Sequence, residues 1–160
     1  MTAIGATLPP LVRLAGRHLG RVKAFDLNLP RYLQAERRRV ELMEALERFL
    51  TEWDAWICPV AAIPAFKHLD PTRYVGSMPV YPALQVNGQA VEYSLANGGF
   101  TTPFNVTGHP VIVIPVGYSD EGLPIGIQLV GRAWHDRDLL GVAMRLAEFV
   151  APLRHPPGYS

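Results

Sequence analysis

The chain has 160 residues, of which 49% are hydrophobic and 18% charged, and its formal net charge is +1. That length can bury a hydrophobic core of its own, and so even a balance of charge leaves no electrostatic footprint for nucleic acid or an anionic membrane. A single cysteine, Cys58, excludes an intrachain disulfide and a thiolate metal cluster.

In chain order, Pro9 and Pro10 suit the first turn of a helix, and Leu11, Leu14, Ala15, Leu19 and Val22 follow at helical spacing. An N-terminal helix is therefore expected within residues 1–28. After "DLNLP" a longer amphipathic helix is predicted from about Arg31 to Trp53. Val40, Met43, Leu46, Leu50 and Trp53 form its apolar stripe, with Glu41, Glu44, Glu47 and Arg48 facing water. The basic run Arg37–Arg39, flanked by Glu36 and Glu41, reads as a solvated helix face. "DAWICPV" predicts a short buried strand stopped by Pro59, with Cys58 as a small buried thiol.

Ala61 to Pro82 holds several prolines and no clear period, which predicts a long irregular loop of the kind that covers a site or connects to missing structure. In "ALQVNGQAVEY" the pair Asn87-Gly88 predicts a hairpin, because both residues tolerate the positive φ of a type I′ turn. Ser94 to Val106 supports no single assignment, with Gly98-Gly99 in its middle and Pro103 as a possible helix start. Val111 to Val116 is β-branched and apolar on both faces apart from Pro115, so it is expected inside a sheet covered on both sides. "SDEGLP" is a turn, and "IGIQLVG" is the next strand, which so short a connection makes antiparallel to the first. Asp136 is expected to cap a helix from about Arg137 to Val150 that buries Leu139, Leu140, Ala143, Leu146, Ala147 and Val150. The whole is read as one domain over residues 1–160, ending in a tail over 151–160.

Candidate chemistry is sparse. None of Ser77, Ser94, Ser119 and Ser160 lies in a Gly-x-Ser-x-Gly turn or beside a base that could activate it. His18, His68, His109, His135 and His155 are scattered singly, and His109, between Gly108 and Pro110, reads as a turn residue. Only Lys23 and Lys67 are lysines, and the carboxylates do not cluster. These patterns call for no catalytic residue, no metal and no cofactor. With no signal-peptide pattern and no apolar run long enough for a membrane span, the expected location is the cytoplasm.

The segments "FTTPFNVTGHPVIVIPVG", "GLPIGIQLVGR" and "LLGVAMRLAEF" resemble the C-terminal part of the amidase signature family, the Ser-Ser-Lys hydrolases of carboxamides. "FLTEWDAWICPVAAIPAF" and "QVNGQAVEY" are similar to segments of the same family, so the resemblance runs from about Leu29 to Val150. It implies an α/β fold, a mixed sheet with flanking helices, and a small-molecule amide as substrate of the intact enzyme. The family's nucleophilic serine, bridging serine and base lysine lie in a signature earlier in the chain, and no residue here matches them. The resemblance thus implies a C-terminal fragment without its catalytic residues, inactive by itself. It also implies that Phe100, Thr101 and Asn105 wall the substrate pocket. Glutamine-using members carry an acidic residue shortly before the position of Thr101, where this chain has Asn97, Gly98 and Gly99, so a glutaminase role is disfavoured. A truncated sheet would leave an open edge and an apolar face, for which a homodimer is the simplest cover.

Overall fold

The computed structural model describes residues 28–150 apart from Gly76, together with Gly158. The helix expected within residues 1–28 and the terminal tail, with His18, Lys23, His155 and Ser160, lie outside the described residues. In chain order the elements are α1 (Leu29–Leu50), β1 (Trp56–Pro59), β2 (Arg73–Val75), β3 (Met78–Val80), β4 (Leu84–Val86) and β5 (Gln89–Val91). Then follow α2 (Tyr93–Gly98), α3 (Thr102–Thr107), β6 (Val111–Tyr118), β7 (Pro124–Val130) and α4 (Asp136–Ala147).

Helix α1 starts at Asn28, whose Oδ1 accepts from the Arg31 N–H at 3.1 Å, and Pro30 occupies the first turn. Its exposed side carries Glu36–Arg39 and Glu44–Arg48 ion pairs, worth about 0.2–0.5 kcal/mol each. The helix ends at Leu50, short of Trp53, and the Thr51 hydroxyl donates to the Arg48 carbonyl at 2.6 Å. Its buried stripe is narrower than the periodicity predicts. Leu46 and Leu50 are buried, whereas Val40 and Trp53 are 47% and 58% exposed. The reason is geometric: the apolar cluster under α1 gathers only around the C-terminal end of the helix.

Three strands form the principal sheet, in the order β1-β7-β6, and both pairings are antiparallel. The short turn between β6 and β7 is built as its sequence requires. Gly122, at φ 79°, donates to the Ser119 carbonyl at 2.8 Å, and the Ser119 Oγ accepts from the Leu123 N–H at 3.1 Å. Strand β7, not the Val111–Val116 run, is the inner strand, and its Gln128, Leu129 and Val130 are completely buried. Val111 and Val113 of β6 are 37% and 55% exposed, because among the described residues β6 is an edge strand covered on one face only. A register shift between Pro115 and Gly117 marks the point where proline has no N–H to donate.

The sheet is packed on two sides. On one face Leu46, Leu50 and Phe104 meet Val130, with Trp56 and Cys58 at the margin. Trp56 sits edge-on to Phe104 and to Phe49, with ring centroids 5.6 Å apart in each pair. On the other face Leu139 and Ala143 of α4 meet Ile114 and Leu129, flanked by Ile112, Val116 and Ile127. Helix α4 comes so close that a Cβ at Gly131 would lie 3.1–3.2 Å from the Leu139 side chain. His135 is the N-cap and Asp136 the first helical residue, so Asp136 and Asp138 supply negative charge to the first turn. Leu140 and Ala147, expected inside, are exposed, because α4 lies across the sheet on its Leu139–Ala143 side alone.

The expected irregular loop between Ala61 and Pro82 contains a second small hairpin, β2 paired antiparallel with β3. Strands of three residues are too short for alternation to be visible in sequence. The ambiguous stretch after Ser94 resolves into two short helices. Glu92 caps α2 by accepting from the Leu95 N–H at 2.9 Å, and Pro103 opens α3, which Gly108 closes at φ 72°. The β4–β5 hairpin turns through Asn87 at φ 50° and Gly88 at φ 77°, as expected. A Cβ at Gly88 would meet no atom within 4 Å, so substitution there is opposed by backbone strain alone. Gly88→Val combined with Asn87→Ala is therefore expected to destabilise the protein by about 1–3 kcal/mol. A urea midpoint equal to that of the parent would show that the turn carries no such strain.

Candidate functional site

The residues singled out from the resemblance cluster where α2 hands over to α3. Phe100 is half-buried, and its carbonyl accepts a hydrogen bond from Gln128 Nε2 at 2.9 Å. Thr101, half-buried, is the residue before α3, and its hydroxyl donates to the Gly98 carbonyl at 3.3 Å. Asn105 lies one turn further on, exposed, with its N–H directed to the Thr101 carbonyl at 3.4 Å. Phe100 and Thr101 thus meet at the helix junction, while Asn105 extends the same helix face into solvent.

Gln128 organises this junction. Its fully buried amide nitrogen donates to the Pro59 carbonyl at 2.7 Å as well as to Phe100, tying the end of β1 and the α2–α3 junction to β7. Cys58 is its cross-strand partner. Burial pushes the Cys58 thiol up to about 11, against a hydrogen bond with Gln128 that pulls it down. The thiol is therefore protonated near neutrality and is a poor nucleophile.

A second polar cluster joins three distant segments. Glu47, expected to face water, accepts through Oε1 from Arg132 Nε at 2.8 Å and forms an ion pair there with Nη2 2.7 Å away, while its Oε2 accepts from the Ala133 N–H at 3.1 Å. The buried ring of His109 places Nε2 3.4 Å from the same Oε2, so this histidine is a core residue rather than a bare turn residue. Burial works to raise the Glu47 pKa, but the Arg132 bond, the Ala133 N–H and the charges of Arg132 and His109 hold it below its ordinary value of 4.5. His109 is held below its ordinary value of 6.5 by burial, which the Glu47 carboxylate only partly offsets. Arg39, from the run read as a solvated face, also reaches inward, donating from Nε to the Val106 carbonyl at the end of α3 at 2.8 Å. No spacing signal in the sequence links Glu47 to Arg132 or Arg39 to Val106, since each pair is far apart along the chain.

The cluster has the chemistry of a clamp. Ser119 Oγ is committed to its turn. His135 Nδ1 lies 2.8 Å from Asp138 Oδ2 at the exposed start of α4, a pairing that orients the ring within its own helix. Among the described residues no group of three or more His, Cys, Asp or Glu side chains is placed to hold a metal ion.

The family model described as Amidase matches residues 6–140. This chain belongs to the amidase family. A fatty acid amide hydrolase of Arabidopsis thaliana is 31% identical over 128 residues, covering 79% of this chain and 19% of the relative. A glutamyl-tRNA(Gln) amidotransferase subunit of Nostoc punctiforme is 30% identical over 112 residues, covering 70% and 20%. Part of the amidase fold is present: a solved amidase structure superposes with a TM-score of 0.65 at 23% identity, over 81% of this chain and 27% of that one. The structure of 6-aminohexanoate cyclic dimer hydrolase superposes at 0.61 with 26% identity, over 85% and 28%. The chain spans about a fifth of the length of the curated amidase-family relatives it matches. Its helices and strands are those of an α/β amidase fold, with helices flanking the sheet. Among the described residues no helix is long and apolar enough to cross a membrane.

Both pKa directions give the same sign of pH dependence. Glu47 and His109 hold protons less tightly in the folded chain than in the unfolded one, so each contributes stability above its ordinary value. That stability falls as the pH drops below 6.5 for His109 and below 4.5 for Glu47. Glu47→Gln is expected to cost about 1–2 kcal/mol near neutrality, discounted because Glu47 and Arg132 remain a third or more exposed, and to remove the lower acid step. Urea titrations across the acid range check this, and a variant as acid-sensitive as the parent below pH 4.5 would contradict it.

Proposed function

We propose that this chain is the C-terminal segment of an amidase signature hydrolase, lacking the catalytic Lys-Ser-Ser set and inactive alone. In the intact enzyme the reaction is hydrolysis of a carboxamide to a carboxylate and ammonia or an amine. The observation that supports this reading is a match to amidase-family relatives over about a fifth of their length. Its role is then architectural. β7, through Gln128, holds the α2–α3 junction, so that Phe100, Thr101 and Asn105 form part of the wall of an amide pocket completed by other segments. A single unpaired cysteine suits a reducing cytoplasmic compartment. Incubated at high concentration with a panel of aryl and short-chain amides, the 160-residue chain is expected to show no turnover. Hydrolysis abolished by one serine or histidine substitution would overturn the reading.

A second reading, a non-catalytic interaction module derived from an amidase, draws support from the outer edge of β6. The Gly131 N–H donates to the Pro110 carbonyl, so by antiparallel alternation Ile112 and Ile114 direct their backbone groups to β7. Val111 and Val113 then direct theirs outward, and both side chains are exposed. An edge of this kind pairs with a second copy through a two-fold axis. Under this reading the chain is a homodimer burying at least about 1,000 Å², which Val113→Glu converts to monomer. Sedimentation velocity at micromolar concentration checks it, and a monomeric parent chain would remove the dimer from the account.

A further inference from the structure

Helix α4 turns Leu139 and Ala143 into the core, and among the described residues its opposite face is uncovered. Arg137, Leu140, Gly141, Met144 and Glu148 follow one another there at helical spacing. Met144 is 71% exposed and Leu140 51%, on the side where a surface helix ordinarily carries polar residues. A Cβ at Gly141 would meet no atom within 4 Å, so nothing in the chain's own packing requires a glycine there. Glycine in a helix interior is moreover destabilising relative to alanine. The ends of the face carry opposite charges, Arg137 in the first turn and Glu148 at the C-cap. Each stands at the end where the macrodipole of its own helix disfavours it. The two are about 16 Å apart along the axis, too far to pair with each other within one helix.

We propose that the outer face of α4 docks on the same face of a second copy of this chain, the two helices antiparallel about a two-fold axis. In that register Arg137 of each copy meets Glu148 of the other, and both end charges gain a partner. A parallel pairing would set Arg137 against Arg137 and Glu148 against Glu148, so the charges select the antiparallel one. The axis then passes beside Val142 and Ala143, and Met144 of each copy lies over Gly141 of the other. The missing side chain leaves a hole that the flexible methionine fills, and it lets the helices approach to the usual 8–10 Å or so. Trp134 and Phe149, just beyond the two ends of the helix, are the most exposed large apolar side chains among the described residues. The same register brings the Trp134 end of one helix to the Phe149 end of the other. Rings of that size bury about 150–250 Å² each, which carries the contact toward the roughly 1,000 Å² of a specific interface. This interface uses neither the β6 edge nor the residues proposed to wall the amide pocket, and it goes beyond both readings above.

Sedimentation velocity on the 160-residue chain at micromolar concentration tests the interface. The parent is expected to be a dimer and Met144→Glu a monomer with unchanged helical circular dichroism. Gly141→Leu is the sharper variant. Its side chain enters open space in the single chain and favours the helix, yet fills the hole that Met144 needs, so the dimer Kd is expected to rise at least tenfold. Arg137→Glu is expected to raise the Kd severalfold, and Arg137→Glu combined with Glu148→Arg to restore it. Two positions that cannot meet within one helix give such a rescue only across the interface. A monomeric parent, a dimer that Gly141→Leu leaves intact, or a double variant no tighter than Arg137→Glu alone would overturn the proposal. A dimer lost in Val113→Glu and kept in Met144→Glu would overturn it too, and would leave the β6 edge as the interface.

Discussion

Gln128 occupies a place where apolar packing alone would fail. It lies in the inner strand, wholly buried, between the end of β1 and the junction of α2 with α3. Both neighbouring segments bring a backbone carbonyl into this interior, from Pro59 and from Phe100, and a carbonyl buried without a donor is costly. One side-chain amide nitrogen serves both. An aliphatic residue would preserve the packing of β7 and lose two long-range ties, so the position of the α2–α3 junction depends on this one polar residue.

The Glu47 clamp does for the outside of the sheet what Gln128 does for the inside. It links α1 to the loop after β7 through Arg132 and Ala133, and to the approach to β6 through His109. Because its carboxylate accepts from a guanidinium N–H and a backbone N–H, with a buried imidazole beside it, α1 is held by directional bonds as well as by Leu46 and Leu50. The consequence for function is positional. Helix α3, which carries Asn105 and follows Phe100 and Thr101, is fastened from below by Phe104, from its C-terminal end by Arg39 and Gly108, and from its start by Gln128.

Among the described residues the buried Gln128 amide ties distant segments together, while burial sets the protonation of Cys58 and His109. The Cys58 thiol is held protonated, and His109 is held neutral at ordinary pH by its burial. Among the described residues, the surfaces left open include the edge of β6, with Val111 and Val113, and the cleft beside the β2–β3 hairpin.

The family, the α/β class and most elements could be read from sequence because their signals are local. Asn87-Gly88 specifies its turn through two backbone conformations, and the spacing of Leu46, Leu50, Leu139 and Ala143 marks helix faces. A short turn between β6 and β7 allowed only an antiparallel pair. The order of the strands was not legible, because β6 and β7 are similarly apolar and which becomes the inner strand depends on where β1 adds. Hairpin β2–β3 was hidden for another reason, since three-residue strands have no period to detect. The roles of Glu47, His109 and Arg39 were decided by tertiary structure alone: Glu47 and Arg39 are bonded to residues dozens of positions away and the buried His109 ring lies against Glu47, and hydropathy at a single position cannot distinguish a charge facing water from one facing a distant partner.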